Sequence, residues 1–452
     1  MSEANYKTTP PPIDTMPKGV SYIVGNEAAE RFSYYGMRTI LVIFMTKYLM
    51  SSGGGIDPMS ETEAKKWYHL FLSSVYFFPV IGAILSDWIW GKYRTILWLS
   101  VVYCLGHLAL ALDETRLGLS IGLGLIAIGS GGIKPCVSAH VGDQFGESNK
   151  HLISRVFGWF YWSINFGAFI STLLTPWLLD RFGPHIAFGV PGLLMLIATW
   201  VFWLGRKEFV HIPPGGKAFL EEALGPRGIK SLASLVPIYL LISIFWALYD
   251  QSGSSWVLQA NNMDLNFLGH KWLASQVQAM NPILVLIYIP LFTYVLYPWI
   301  NSFFPLSSVR KMGLGFFVML PSFLIIAFVE SGIQAGQTPS IAWHILAYVF
   351  LTAAEVMTYQ TGLELTYTQA PNTMKSFLMS LYLLTVSLGN FITGFINGFI
   401  ANPDGTSKLE GVSYYLFFSG LMAVAAVAFI FVAKRFKETS YIQGAPEAEG
   451  NP

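Results

Sequence analysis

Apolar residues recur along this chain in long blocks separated by short polar stretches. Typical are Ser231 to Tyr249, SLASLVPIYLLISIFWALY, and the run YYLFFSGLMAVAAVAFIFVA that ends at Ala433. A helix needs about 20 predominantly apolar residues to cross a bilayer. Twelve stretches meet that requirement, at 20–50, 64–90, 95–112, 117–139, 153–178, 186–205, 233–257, 274–298, 309–331, 340–366, 376–400 and 412–434. The pattern therefore predicts an all-α integral membrane protein in contact with a lipid bilayer on most of its surface.

The longest polar interruption, 206–232, divides the spans into six and six, the organisation of carriers built from two six-helix halves. The expected parts are a tail at 1–19, a bundle at 20–205, a linker at 206–232, a second bundle at 233–434 and a tail at 435–452. Residues 1–19 are polar and proline-rich and read as a short disordered tail with no cleavable signal peptide.

Composition agrees with the pattern. Hydrophobic residues make up 53% of the 452 and charged ones 12%, about half the share of roughly 25% in soluble domains. The net charge of +1 offers nothing to a nucleic acid. Cys104 and Cys136 fall inside spans, where packing is their expected role.

Basic residues decide orientation. With the N-terminus inside, the inner segments and span ends hold seventeen Lys and Arg, among them Lys150, Lys217 and Lys437, and the outer ones hold seven. Positive charge gathers on the cytoplasmic side of membrane proteins, so both termini are expected there. The remaining three of the 27 basic residues, Arg31, Arg38 and Lys134, lie inside spans.

A charge at the bilayer centre costs about 2.5–3.5 kcal/mol on insertion scales, so such groups face cavities or partners. In the first span Glu27, Glu30, Arg31, Tyr34 and Arg38 share one helical stripe. The stripe calls either for an aqueous cavity or for an internal cluster in which Arg31 pairs with Glu27 or Glu30. Lys134 sits among glycines in GSGGIKPCVSAHVGDQF, and Glu27 is its expected partner. His69, Tyr76 and Asp87 share a face of the second span, with Asp87 expected to anchor the following loop through Lys92 and Arg94.

The second half carries Asp250 and Glu355 with no basic residue near them. Asn165 and Asn281 are interior amides, suited equally to helix–helix hydrogen bonds and to a ligand. Cations in one half and carboxylates in the other suit a dipolar ligand with a carboxylate and an amine, such as a peptide zwitterion.

These residues also carry a resemblance. EAAERFSYYG, Glu27 to Gly36, matches the ExxERFxYYG motif of the proton-dependent oligopeptide transporter family of the major facilitator superfamily. GGIKPCVSAHVGDQF, FGWFYWSINFGAF, FWALYDQSGSSWVLQA and GAILSDWIWGKYRT resemble further segments of that family or of the superfamily, with Phe166 bulkier than the usual residue. The resemblance covers essentially the whole chain.

It implies the major facilitator fold and proton-coupled import of di- and tripeptides by a monomer with no cofactor or metal. It further implies that Arg31 and Lys134, helped by Tyr35, hold the peptide carboxylate. Glu355, Asn165 and Asn281 would hold the amine, and Tyr34, Tyr76, Trp246 and Tyr382 would line side-chain pockets. Glu27 and Glu30 would couple protons, and Arg38, His69 and Asp250 would form an outer gate. The linker is too short for the two extra helices of many bacterial members, so twelve spans are expected.

Other solutes on the same scaffold (nitrate, a glycoside, a peptide-like drug) form one competing reading. A membrane-embedded enzyme is another, against which the chain has no HExxH, GxSxG or GxxxxGK[ST] motif. A receptor or scaffold would not require so many intramembrane charges.

Overall fold

The computed structural model describes residues 6–146, 148–149, 152–214, 221, 225–369, 375–402 and 406–436. Within them lie twelve long helical segments. In the first half these are α1 (Gly19–Lys47), α2 (Glu61–Trp90), α3 (Lys92–Leu112), α4 (Arg116–Gly142), α5 (Ile153–Phe182) and α6 (Pro184–Leu204).

The second half begins with α7 (226–260), which tightens into a 3-10 turn at Asp250–Gly253 before resuming at Ser255. It continues with α8 (Ala274–Asn301), α9 (Ser308–Gln334), α10 (342–369), α11 (Lys375–Ile400) and α12 (Val412–Arg435). A two-residue antiparallel pairing, Asn266–Phe267 with His270–Lys271, lies between α7 and α8.

By length and composition alone, nine helices among the described residues qualify as membrane spans. The other three, α1, α5 and α10, are comparably long but carry interior polar groups, including Glu27, Glu30, Arg31, Asn165 and Glu355. Starts are fixed by local chemistry. Ser60, Thr115 and Ser307 each accept a hydrogen bond from a first-turn amide of the helix that follows. The glycines of α4 allow the close approach expected of them. A Cβ added to Gly82 of α2 would strike the Gly132 carbonyl of α4.

Two expectations need correction. The N-terminal segment is docked from residue 6 onward. Tyr6 stacks on His211 at 4.2 Å between ring centroids, the His211 amide donates to the Lys7 carbonyl, and Ser148 and Asn149 donate to the carbonyls of Ile13 and Thr15. Its carbonyls supply acceptors for the α4–α5 connection. At the loop after α2, Lys92 makes its direct ion pair with Asp143 at 2.8 Å, while Asp87 accepts from Ser86 and keeps Lys92 within electrostatic reach, so the anchor is shared with Asp143. Lys150, Lys217, Lys437, the C-terminal tail beyond 436 and linker residues 215–220 and 222–224 lie outside the described residues.

Candidate functional site

The stripe on α1 faces both the interior of the first half and the space between the halves. Arg31 Nε donates to Glu27 Oε1 at 2.6 Å and lies 3.2 Å from Glu30 Oε2. Ser130 of α4 donates to the other Glu30 oxygen at 2.7 Å. Both carboxylates are buried and Arg31 is half-buried. The i,i+4 spacing brings the Arg31 guanidinium onto Glu27, so the internally paired cluster is what the helix builds.

This corrects the expected partner of Lys134. Among the described residues no carboxylate lies within ion-pair distance of its Nζ. The ammonium instead rests 4.1 Å from the ring centroid of Tyr34 and 5.4 Å from that of Tyr76. Ring faces attract a cation through their quadrupole, but they leave its N–H donors free for a ligand.

The expected gate residues are brought together at the end of the bundle away from the termini. Arg38 of α1 pairs with Asp250 of α7 at 2.5 Å and donates through Nε to Tyr68 of α2 at 2.8 Å. Asp250 can only accept, so the amide nitrogen of Asn390 faces it, at 2.6 Å. The Asn390 carbonyl oxygen must then accept from His69 Nδ1, 2.8 Å away, and His69 Nε2 meets the Ser254 hydroxyl at 2.9 Å. The ring is thereby assigned a tautomer with its hydrogen on Nδ1.

His69 thus reaches Asp250 only through Asn390, a residue the sequence reading missed. Its signal was faint. Asn390, Thr393 and Asn397 share a face of α11 at spacings of three and four, with no charge among them.

In the second half Glu355 is the last α-helical residue before a π-helical turn, Val356–Gln360. Such turns widen a helix locally and are frequent at functional sites. Asn281 of α8 donates to Glu355 Oε2 at 2.7 Å and to Thr352 at 3.2 Å, and the Tyr249 hydroxyl also lies beside the carboxylate. Asn165 donates to the Tyr161 carbonyl of its own helix.

Tyr35 of α1 and Tyr359 of α10 stand within electrostatic reach of both Arg31 and Glu355. Cationic groups of the first half and the carboxylate of the second thus act on the same two tyrosines, and Arg31, Tyr35, Tyr76, Lys134, Asn281, Glu355 and Tyr359 are all half-buried rather than sealed. Tyr359 was not singled out from sequence. Trp246 backs this surface, its ring against Tyr249 and Tyr359.

The pocket role expected of Tyr34 and Tyr382 meets a correction, because both are wholly buried in this conformation. Tyr34 lies beneath Lys134, and Tyr382 donates to the Tyr359 carbonyl at 3.1 Å. They support lining residues rather than presenting surface.

Hydrogen bonds join the halves at mid-height and toward the end away from the termini. Besides the gate they include Lys47 to Asn261, Gln278 to the Thr39 carbonyl, Gln276 to the Leu173 carbonyl, and Ser73 with Ser387. The bundle is closed at that end.

A model of the POT family matches residues 93–225 and 219–413. The chain is 37% identical over 367 residues to "Peptide transporter family 1" of Drosophila melanogaster, covering 71% of this chain and 48% of that protein. It is 38% identical over 365 residues to "Solute carrier family 15 member 2" of Homo sapiens, covering 70% and 49%. The chain thus spans about half the length of the curated relatives it matches.

Among solved structures, an auto-inhibited POT family peptide transporter superposes with a TM-score of 0.85 at 34% identity, covering 95% of this chain and 99% of that one. A proton-dependent oligopeptide (POT) family transporter gives 0.75 at 36%, covering 91% and 100%. Similarity over nearly the full length of both chains makes this the major facilitator fold of those transporters.

Proposed function

This chain belongs to the POT family, and from that premise we propose that it is a proton-coupled symporter importing di- and tripeptides and peptide-like compounds across the plasma or inner membrane by alternating access. The observation that supports the reading is that Arg31 of the first half and Glu355 of the second, the latter held by Asn281, both act on Tyr35 and Tyr359, with Lys134 on the first half left without a carboxylate partner. A peptide's carboxylate would meet Arg31 and Lys134 and its amine Glu355 and Asn281. Asn165 would assist the amine from α5, while Tyr35, Tyr76, Trp246 and Tyr359 would bound the side chains.

Proton coupling follows from Arg31. Two carboxylates hold it, so a proton on Glu27 or Glu30 weakens that hold and turns the guanidinium toward an incoming carboxylate. The excess of basic residues at the termini's end supports cytoplasmic termini. The closed end is then extracellular and the conformation inward-facing, with Arg38, His69 and Asp250 as its outer gate. Each chain carries both walls of its own site, which supports a monomeric carrier.

The test is uptake of labelled dialanine into proteoliposomes with an acid exterior. Accumulation above equilibrium that collapses with a proton ionophore, with the peptide recovered chemically unchanged, is the expected result. Accumulation that survives the ionophore and follows a sodium gradient would overturn proton coupling, and recovery of free alanine would favour an enzyme.

A further inference from the structure

The first half encloses a polar cluster that the central cavity does not use. Ser100, Tyr103 and His107 share one face of α3, and on α1 Asn26 lies one turn before Glu30. Each of the five is at most 1% exposed. Both ring nitrogens of His107, both ends of the Asn26 amide, the Ser100 hydroxyl and Glu30 Oε2 have no hydrogen-bond partner among the protein's groups, and the Tyr103 hydroxyl has only Ser130 beside it. Glu30 Oε2 meets Arg31 only as an ion pair.

The groups adjoin one another. The rings of Tyr103 and His107 are 4.9 Å apart, and Tyr103 lies within electrostatic reach of Glu30 and beside Ser130, the donor to Glu30 Oε1. A buried polar group left unsatisfied costs about 1–3 kcal/mol, so several of them gathered in one cluster call for a partner. Water is the ligand that fits, since a buried water makes about three hydrogen bonds to groups of this kind.

We propose that the first half holds an internal chain of ordered water running from His107 past Tyr103 and Ser100 to Glu30 Oε2, and that Glu30 exchanges its proton with this chain rather than with the substrate cavity. The inference rests on the proton-coupled reading above. In the transfer, an O–H bond breaks at the water next to Glu30 as one forms at Oε2. Each water behind it takes a proton from its neighbour, and the proton entering at the far end comes from bulk hydronium.

The charged and titratable groups facing Glu30 are Glu27, Arg31 and Tyr35 from α1, Tyr103 from α3 and Lys134 from α4. No charged side chain acts on His107 among the described residues. Peptide and proton thereby approach α1 from opposite faces.

The test uses Ser100→Ala, Tyr103→Phe and His107→Leu in the full-length carrier, with His107→Gln as the conservative control. Hydrated groups lose partners when truncated, so each of the three should melt at a lower temperature than wild type. Proton-driven uptake should fall about tenfold, the scale of one lost hydrogen bond to a charged group, while peptide counterflow stays within about twofold. His107→Gln should recover uptake.

Raised melting temperatures in all three would mean a dry cluster and overturn the proposal. Equal loss of counterflow and driven uptake, or no loss of either, would overturn it too. Wild-type protein lacking proton-driven uptake would sink the transport reading, while the melting series would still report on the water.

Discussion

Asp250→Asn removes one charge from the gate while keeping its shape, so its effect can be sized from the contacts. Asp250 accepts from Arg38 at 2.5 Å and from Asn390 at 2.6 Å, both in a buried setting. Hydrogen bonds to a charged group contribute about 1.5–3 kcal/mol and neutral ones about 0.5–1.5. The new side chain accepts only through its oxygen, so it keeps Arg38 while Asn390 turns to accept from its amino group and His69 shifts its hydrogen to Nε2. Replacing two bonds of the first kind by two of the second costs the closed end about 2–3 kcal/mol. Since each 1.4 kcal/mol is tenfold, the ratio of outward-closed to outward-open carrier should fall by roughly 30- to 150-fold.

The assay is alkylation of Ser73→Cys by an impermeant maleimide from outside, with Cys104 and Cys136 replaced. Ser73 hydrogen-bonds Ser387 across the closed interface and is shielded by the gate. Labelling should quicken by about tenfold or more if opening limits access. An unchanged labelling rate together with unchanged uptake would refute the assignment of Asp250 to the gate.

Glu355→Gln should weaken dialanine about tenfold to a hundredfold, the scale of a lost charge-assisted hydrogen bond, and leave N-acetyl-dialanine nearly unchanged. Competition against labelled peptide measures both, and a preserved gap between the two ligands excludes Glu355 as the amine site. The docked N-terminal segment should loosen in acid. Burial lowers the His211 pKa from its ordinary 6.5, so the neutral ring's contribution is intact above about 6.5 and is lost as pH falls toward the lowered value. Limited proteolysis within residues 6–18 should therefore be faster at acid than at neutral pH, and Tyr6→Ala should remove that difference.

Span positions were legible because the bilayer imposes length and polarity on every crossing helix. All twelve segments start and stop within a few residues of the sequence reading, apart from the earlier start of α7 at Pro226. The stripe on α1 and the meeting of Arg38, His69 and Asp250 were legible for a related reason, since an intramembrane charge must find a partner or water. Partner choice was not. Arg31, rather than Lys134, holds Glu27 because adjacent turns bring the two groups together without help from another helix. Periodicity assigns a face and not a depth, so Tyr34 shares the polar stripe of α1 yet lies wholly beneath other side chains, and the resemblance that pointed to Tyr382 is equally silent on depth. The docking of residues 6–18 depends on main-chain carbonyls, which no side-chain pattern records.

Charge counting across the cavity connects these details to coupling. With all groups ionised, Glu27, Glu30, Arg31 and Lys134 sum to zero within the first half, while Glu355 leaves the second half's wall at minus one. On the proposed reading, a zwitterionic peptide would bring its amine to Glu355 and neutralise that wall. Its carboxylate would then leave the first-half cluster one negative charge in excess, in surroundings where an unpaired buried charge is strongly disfavoured. One proton on Glu27 or Glu30 restores the balance and at the same time slackens their hold on Arg31. Peptide carboxylate and proton should therefore bind with mutual assistance, equal in each direction. Dialanine amide lacks the carboxylate and keeps the amine, so it separates the two effects. Dialanine affinity should rise as external pH falls from about 7.5 to 5.5, approaching tenfold per unit at most for one linked proton. The amide should bind more weakly and vary little over the same range. An amide that followed the same pH curve as dialanine would show that the proton serves a step other than carboxylate binding.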